Sequence, residues 1–295
     1  MSEYLGHMFN VYADPFGWAT LAKILVIILI VTAVRSMSIA GLGYLFWWKL
    51  FAKALQHRRI QQRIPSAARL WNELRWSLST FVVYTLLGFG SYFLWKMGFT
   101  RIYPKIADHG WGYFALSVVL MVILHDAYFY WTHRFLHLKP VFRRIHRVHH
   151  ESLNPSPWAA FAFHPIEAAI SFGILPLIVV VMPCHMAAVN LFLLYMTALN
   201  VAGHLGYELF WRGFTTHWLF GWHNTSTHHN MHHSKVHCNY GLYFNVWDRL
   251  MRTNHRAYHD TYEAVLARPH GIAAPAGAAP GREEARGGAV RAESA

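Results

Sequence analysis

The sequence predicts an all-α fold: a polytopic membrane helical bundle closed at one end by a helical cap. Three observations carry this expectation. Of 295 residues, 55% are hydrophobic, 16% aromatic and only 14% charged, where a soluble domain has ~45–50% apolar and ~25% charged residues. Several apolar runs approach the ~20 residues an α-helix needs to cross a ~30 Å hydrocarbon layer. The remaining polar chemistry is concentrated: of 22 histidines, 18 lie between His125 and His259, beside and after those runs.

The first run, Trp18 to Val34, is preceded by Glu3 and Asp14 rather than by a basic region, and no small-residue cleavage site follows it, so it reads as a retained anchor. Residues 36–52 either prolong that helix or lie along the interface, where Trp47 and Trp48 suit the headgroup level. Ser77 to Trp95 and Trp111 to Trp131 are the next two spans. Ile166 to Ala202 is almost continuously apolar but interrupted by "MPCH" at Met182 to His185, which predicts a helical hairpin with Pro183 at its tip. From Pro269 onward the chain turns to Ala, Gly, Pro, Arg and Glu, with no apolar face to bury. The expected organisation is therefore membrane helices and a basic loop over 1–110, a histidine-rich domain over 111–268, and a disordered tail over 269–295.

Charge sets the orientation. Lys53, Arg58, Arg59, Arg63, Arg69 and Arg75 face only Glu73 in the loop after the first helix, which predicts that this loop is cytoplasmic. Lys139, Arg143, Arg144 and Arg147 then fall on the same side, whereas Lys96, Arg101 and Lys105 fall on the other. The formal charge of +12 is accounted for by basic residues flanking helices, where they meet anionic headgroups, so nucleic acid is not expected as a partner. Cys184 and Cys238 are placed on opposite sides of the membrane and lack a CxxC spacing, which argues against a disulfide and against a thiolate zinc site.

The histidines follow a pattern. His133 and His137 are four apart; His146, His149 and His150 stand at i, i+3 and i+4, and His229, His232 and His233 repeat that spacing. Helical neighbours at these spacings share a face and can converge on one ion. A neutral imidazole offers one nitrogen lone pair, so such groups suit a metal. Two triads and a pair exceed the capacity of one ion of four to six ligands, which makes two metals the economical reading of the cap. The hairpin returns the chain to the same end and adds His204. His133, His137, His146, His149, His150, His204, His229, His232 and His233 are thus the candidate ligands.

Asp126, seven residues before His133, is a candidate for supporting a ligand from behind; His164 with Glu167 at the head of the hairpin either does the same or marks a helix start, Glu208 is open as a carboxylate ligand, a supporting base or neither, and His228 is a further candidate, although it faces another side of its helix. His125 lies ~12 Å deeper than His133 along one helix and reads as an embedded polar residue.

Ligand type alone leaves zinc, copper, nickel and iron open. HExxH, Glu-x-x-His, GxSxG, Walker and GxGxxG patterns are all missing from the sequence. Taken in order, "HDAYFYWTHRFLH", "HRVHH", "FHPIEA", "GHLGYE" and "HHNMHHSKVHCNYGLYFNVWDRL" resemble the fatty acid hydroxylase and sterol desaturase superfamily over roughly 111–254. That resemblance implies a non-haem di-iron enzyme in which two iron ions and O2, with electrons from a separate protein such as cytochrome b5 or a ferredoxin, hydroxylate or desaturate a lipid. It assigns the nine histidines above as ligands, with no fused cytochrome b5 domain because HPGG is missing. It also implies an integral membrane location, in a bacterial inner membrane or the endoplasmic reticulum.

"AAFAFHP" has Phe161 where sterol C5 desaturases resemble one another in a further histidine, so acyl chains or polar lipids are expected ahead of sterols. Hydroxylation and desaturation stay open. The rival readings are a membrane metal-binding or transport protein and a zinc-dependent lipid hydrolase; boxes that follow the spans rather than interrupt them favour an enzyme.

Overall fold

The computed structural model describes residues 16–270. The expected tail beyond residue 270 lies outside the described residues. Helix α1, Trp18–Gly43, continues without a break into a π-helical stretch, Tyr44–Leu50. This decides the ambiguous segment 36–52: it prolongs the first helix. Trp48 is not at the interface but buried, its indole N–H donating to the Leu205 carbonyl at 2.8 Å. Arg59 lies over the same ring, 4.6 Å from its centroid, so an aromatic side chain suited to headgroups serves here to dock the end of the first helix onto the cap.

Helix α2, Ala67–Lys96, starts on Ser66, whose side chain accepts from the Arg69 amide. It leads to strand β1, Ile102–Tyr103, and to helix α3, Gly110–Leu136, which returns to the starting end. Three helical pieces follow as α4: Lys139–Val141, π-helical Phe142–His146 and Arg147–His150. The hairpin has the expected form. Helices α5, Pro165–Phe172, and α6, Ile174–Val181, run away from the cap, and α7, Met186–Gly203, comes back. Pro183 stands at the break; strand β2, Cys184–His185, pairs in parallel with β1 and closes the far end. Both cysteines are buried and free.

Four of these helices are long and apolar enough to cross a membrane, α1 with its extension, α2, α3 and α7. Only 17–39% of their most apolar windows is buried. Val26, Ile30, Val34, Leu78, Val82, Leu86, Val119, Ile123, Leu191 and Leu194 all point outward. A belt of that size is stable only in a solvent as apolar as itself. The shorter α5–α6 arm packs against α2 and α3, and the shared core joins Phe81, Tyr84, Met121, Phe161, Phe172, Ile178, Phe192 and Val201.

The cap is closed by α8, Ser226–Lys235, α9, Val246–Leu250, and α10, Tyr258–Leu266. Helix α8 is unusual in composition. Every residue from Ser226 to His233 is buried, although the segment is mostly polar. A polar helix is buried only when its side chains have partners: Ser226 and Thr227 bond the Ala202 carbonyl and Glu208, His228 bonds Asn254, and His229, His232 and His233 face other imidazoles.

Candidate metal centre

Nine imidazoles gather where α3, α4, α7 and α8 meet, and they separate into two sets. His133, His137, His146, His150 and His232 form one; His149, His204, His229 and His233 form the other. Within each set the nearest ring nitrogens all lie within 4.8 Å of one another. Eight of these nine are the residues that the spacing singled out, and His204 is the one that the return of the hairpin adds. The spacing does not, however, bring each triad to one point. His146 and His150 join one set while His149 joins the other, and His229 and His233 join one while His232 joins the other. The reason is helical geometry: at 3.6 residues per turn, i and i+4 lie ~40° apart on one side and i+3 falls ~60° to the other. Each i, i+4 pair shares a set; each i+3 member crosses over.

The backs of four rings are fixed. His133 Nδ1 is 2.8 Å from the Tyr240 carbonyl, His232 Nδ1 2.7 Å from the Cys238 carbonyl, and His204 Nδ1 2.8 Å from the Asn200 carbonyl. His146 Nδ1 is 2.7 Å from Glu167 Oε1. A carbonyl can only accept, so Nδ1 of His133, His204 and His232 carries the hydrogen and Nε2 the lone pair, and an ionised Glu167 sets His146 the same way. His133 Nε2 and His146 Nε2 nonetheless face each other at 3.1 Å. Two lone pairs at that distance repel unless a cation lies between them.

The other set has the same character, with Nε2 atoms of His204 and His229 at 3.0 Å, His229 and His233 at 3.2 Å, and His204 and His149 at 3.4 Å. Nitrogens ~2.1 Å from a shared ion at angles of ~90–110° are separated by ~3.0–3.4 Å. The donor sets therefore fit two metal ions.

Burial keeps the rings in the form a metal needs. Withdrawal from water, reinforced by the crowding of neighbouring imidazoles, holds His137, His146, His149, His150, His229, His232 and His233 far below the ordinary imidazole range. Burial pushes His204 down to about 4. Neutral rings keep their lone pairs at neutral pH.

The supporting candidates divide differently. Glu167 is the carboxylate that holds a ring, whereas His164 caps α5, its Nδ1 accepting from the Ile166 amide. Asp126 does not orient His133; its Oδ1 accepts the amides of Tyr243 and Phe244 at 3.0 and 3.2 Å and so anchors the loop before α9. Glu208 touches none of the nine rings. Its two oxygens accept from Thr227 and from the Leu209 and Phe210 amides, tying the chain after α7 to the start of α8. His228 points away, with Nε2 3.1 Å from Asn254 Oδ1. His125 bonds the Tyr243 hydroxyl at 2.8 Å and belongs to neither set.

Sequence reasoning missed the carbonyls of Asn200, Cys238 and Tyr240, since a backbone group leaves no signature of its own. The loop that presents two of them did leave one, the "NYG" turn. Asn239 adopts a φ of 58°, and its side chain donates to the His228 carbonyl and accepts from the His255 amide. Asp248 takes the next two amides, those of Tyr240 and Gly241. A Cβ on Gly241 would collide with the Phe244 carbonyl.

Fold and site together define a class: an integral membrane protein whose helices end in a buried, paired cage of imidazoles. Residues 118–253 match the family model described as fatty acid hydroxylase, and this match together with the relatives below supports the fatty acid hydroxylase and sterol desaturase superfamily. It is 29% identical over 226 residues to a Delta(7)-sterol 5(6)-desaturase of Gibberella zeae, covering 75% of this chain and 68% of that protein. It is 27% identical over 255 residues to human lathosterol oxidase, covering 83% and 80%. A cholesterol 25-hydroxylase of Mus musculus is 32% identical over 141 residues, 46% of each. No solved structure matches the chain.

Proposed function

We propose that the chain is a membrane-bound, O2-dependent di-iron oxidoreductase that hydroxylates or desaturates a lipid with electrons from a separate protein, and that the lipid is a sterol. One observation carries the reading: two closed sets of imidazoles, four of them with Nδ1 fixed so that the Nε2 lone pair faces inward, lie at the mouth of membrane-spanning helices. The sterol class replaces the expected preference for acyl chains because the relatives above are named for sterol reactions.

His133, His137, His146, His150 and His232 would hold one iron ion and His149, His204, His229 and His233 the other. Iron bound there supplies the redox chemistry with O2 that breaks an unactivated C–H bond, which side chains alone cannot do. The protein supplies the rest. Glu167 and three carbonyls keep the rings aimed, and burial keeps water from the reacting carbon. A narrow apolar crevice lined by Tyr84, Phe172, Leu175, Phe192, Leu193 and Met196 lies between α2, the α5–α6 arm and α7; its space is water-sized, so a sterol entering there from the bilayer must displace these side chains. The basic face of Lys139, Arg143, Arg144 and Arg147 suits an acidic electron donor arriving from the cytoplasm.

The test uses the full chain in nanodiscs, loaded with iron and given a sterol, a reductant and 18O2. The expected product is either lighter by two hydrogens or heavier by one 18O atom, and it vanishes without O2. Product formation in the absence of O2 would instead indicate a zinc-type hydrolase, and metal crossing the bilayer with no oxidised lipid would indicate a transporter.

A further inference from the structure

Two parts of the sequence pattern are left over once the cage is built: the tyrosine of "NYG" and the tryptophan of "WDRL". In the structure they belong to one file of rings. Tyr240 stands against the five-histidine set, with its centroid 5.8 Å from His133, 4.9 Å from His137 and 5.5 Å from His232. Its carbonyl also holds His133. Beyond it lies Tyr130, 6.3 Å away and nearly perpendicular at 84°. Tyr130 stacks on Trp247 at 5.9 Å and 22°, and meets Trp131 at 5.4 Å. The two indoles are 5.8 Å apart. Tyr130 is 0% exposed, and Trp131, near the cap end of membrane-spanning α3, is 46% exposed, so the file runs from the buried cage to the surface at the headgroup level.

Tyr130 also has a prepared exit for its proton. Thr253 has a single hydroxyl hydrogen and gives it to Asp248 Oδ1 at 2.7 Å. The Tyr130 hydroxyl, 2.9 Å from Thr253 Oγ1, must therefore be the donor in that contact. A phenol gives up an electron at moderate potential only if its proton leaves at the same time, and this chain ends on a carboxylate that can take it. Packing alone asks for aromatic rings. It does not ask for phenols and indoles, the oxidisable ones, in continuous contact, nor for a proton path from the buried member.

We propose that Tyr240, Tyr130, Trp247 and Trp131 form a redox relay that carries an oxidising equivalent from the five-histidine set to the protein surface when the centre is activated without a lipid to oxidise. The inference rests on the redox-metal reading above. Tyr130 gives one electron to the oxidised centre across Tyr240, which serves as the bridge, and its proton passes to Thr253 as the Thr253 proton passes to Asp248. The centre is thereby reduced by one electron. Trp247 or Trp131 then returns an electron to the Tyr130 radical, and the proton comes back along the same two hydroxyls. The Arg134 guanidinium, 5.8 Å from both the Tyr130 and Trp131 rings, disfavours a positive charge on the indole, which loses its N–H proton to water. A soluble one-electron reductant, such as a thiol with its proton, restores the indole. The oxidising equivalent is thus spent at the surface and the ligand histidines are spared.

Two arms test this, both on the full chain in nanodiscs. In the first, the cage is filled with zinc, which has no redox chemistry, and a ruthenium photo-oxidant with a sacrificial quencher oxidises exposed tryptophan. A tyrosyl radical forms in the wild type and is lost in Tyr130→Phe, which keeps the ring. An undiminished tyrosyl signal in Tyr130→Phe overturns the relay, as does its absence from the wild type. In the second, the iron-loaded chain is given O2 and only the electrons that activate the centre once, with no lipid and no thiol to restore the indole, and oxidised residues are mapped by peptide mass spectrometry. Oxygen adducts on Trp131 and Trp247 are expected, replaced in Tyr130→Phe and Tyr240→Phe by adducts on the histidine-bearing peptides and faster inactivation. A positive first arm with no tryptophan adducts in the second supports ring-to-ring transfer and removes the oxidising metal, so the two readings fail separately.

Discussion

Replacing Glu167 tests how the cage is held. Its Oε1 accepts the His146 Nδ1 hydrogen at 2.7 Å, and both side chains are buried, 1% and 2% exposed. In Glu167→Ala the Nδ1–H loses its acceptor. A buried donor left unsatisfied costs ~1–3 kcal/mol, and the ring is free to turn its lone pair away. At ~1.4 kcal/mol per tenfold, this cost amounts to a loss of ~5- to 150-fold in metal affinity, in line with the ~10- to 100-fold usual for groups that support a ligand from behind.

The loss should be selective. His146 belongs to the five-histidine set, while the four-histidine set has its own support from Asn200. Titration of iron-loaded protein with a chelator, read by elemental analysis, should therefore show one ion leaving early and the other on the wild-type schedule. Glu167→Gln, which keeps an acceptor but no charge, should fall between. Size-exclusion elution in detergent controls for folding. Unchanged retention of both ions in the alanine variant, or equal loosening of both, would refute the assigned supports.

The division into two sets gives a second expectation. His149→Ala and His150→Ala change adjacent residues yet remove ligands from different sets, so each should lower the iron content by about one ion and the double variant by about two, counted per chain by elemental analysis; simultaneous loss of both ions from either single variant would contradict the partition. A third concerns the loop that carries Tyr240. Gly241→Ala places a methyl group against the Phe244 carbonyl, and a forced shift of this kind costs ~1–3 kcal/mol. Thermal unfolding in nanodiscs should show lower stability, together with weakened retention of the ion in the five-histidine set through the Tyr240 carbonyl; an unaltered midpoint would show that the loop has room to relax.

Part of this protein was legible in the residues alone, for physical reasons. Lipid-crossing helices need long apolar runs, and a proline cannot continue one, so the spans and the hairpin turn at Pro183 are written in composition. Imidazoles at i and i+4 must share a helix side, so eight of the nine histidines announce themselves by spacing. Both signals are local.

What the tertiary structure decided depends on groups far apart in the chain. Which ring joins which set follows from where α8 sits against α4 and α7, since His232 must cross to the α3 and α4 rings while His229 and His233 meet His204. Which nitrogen faces inward is fixed by acceptors 21 and 107 residues away, Glu167 and the Tyr240 carbonyl. Asp126, Glu208 and His164 show the same limit. Each is a polar residue near a ligand in sequence, and each is turned to backbone amides because a buried loop or helix end has donors that must be met. A sequence states which side chains are available, and only packing determines which unpaired backbone group reaches them first.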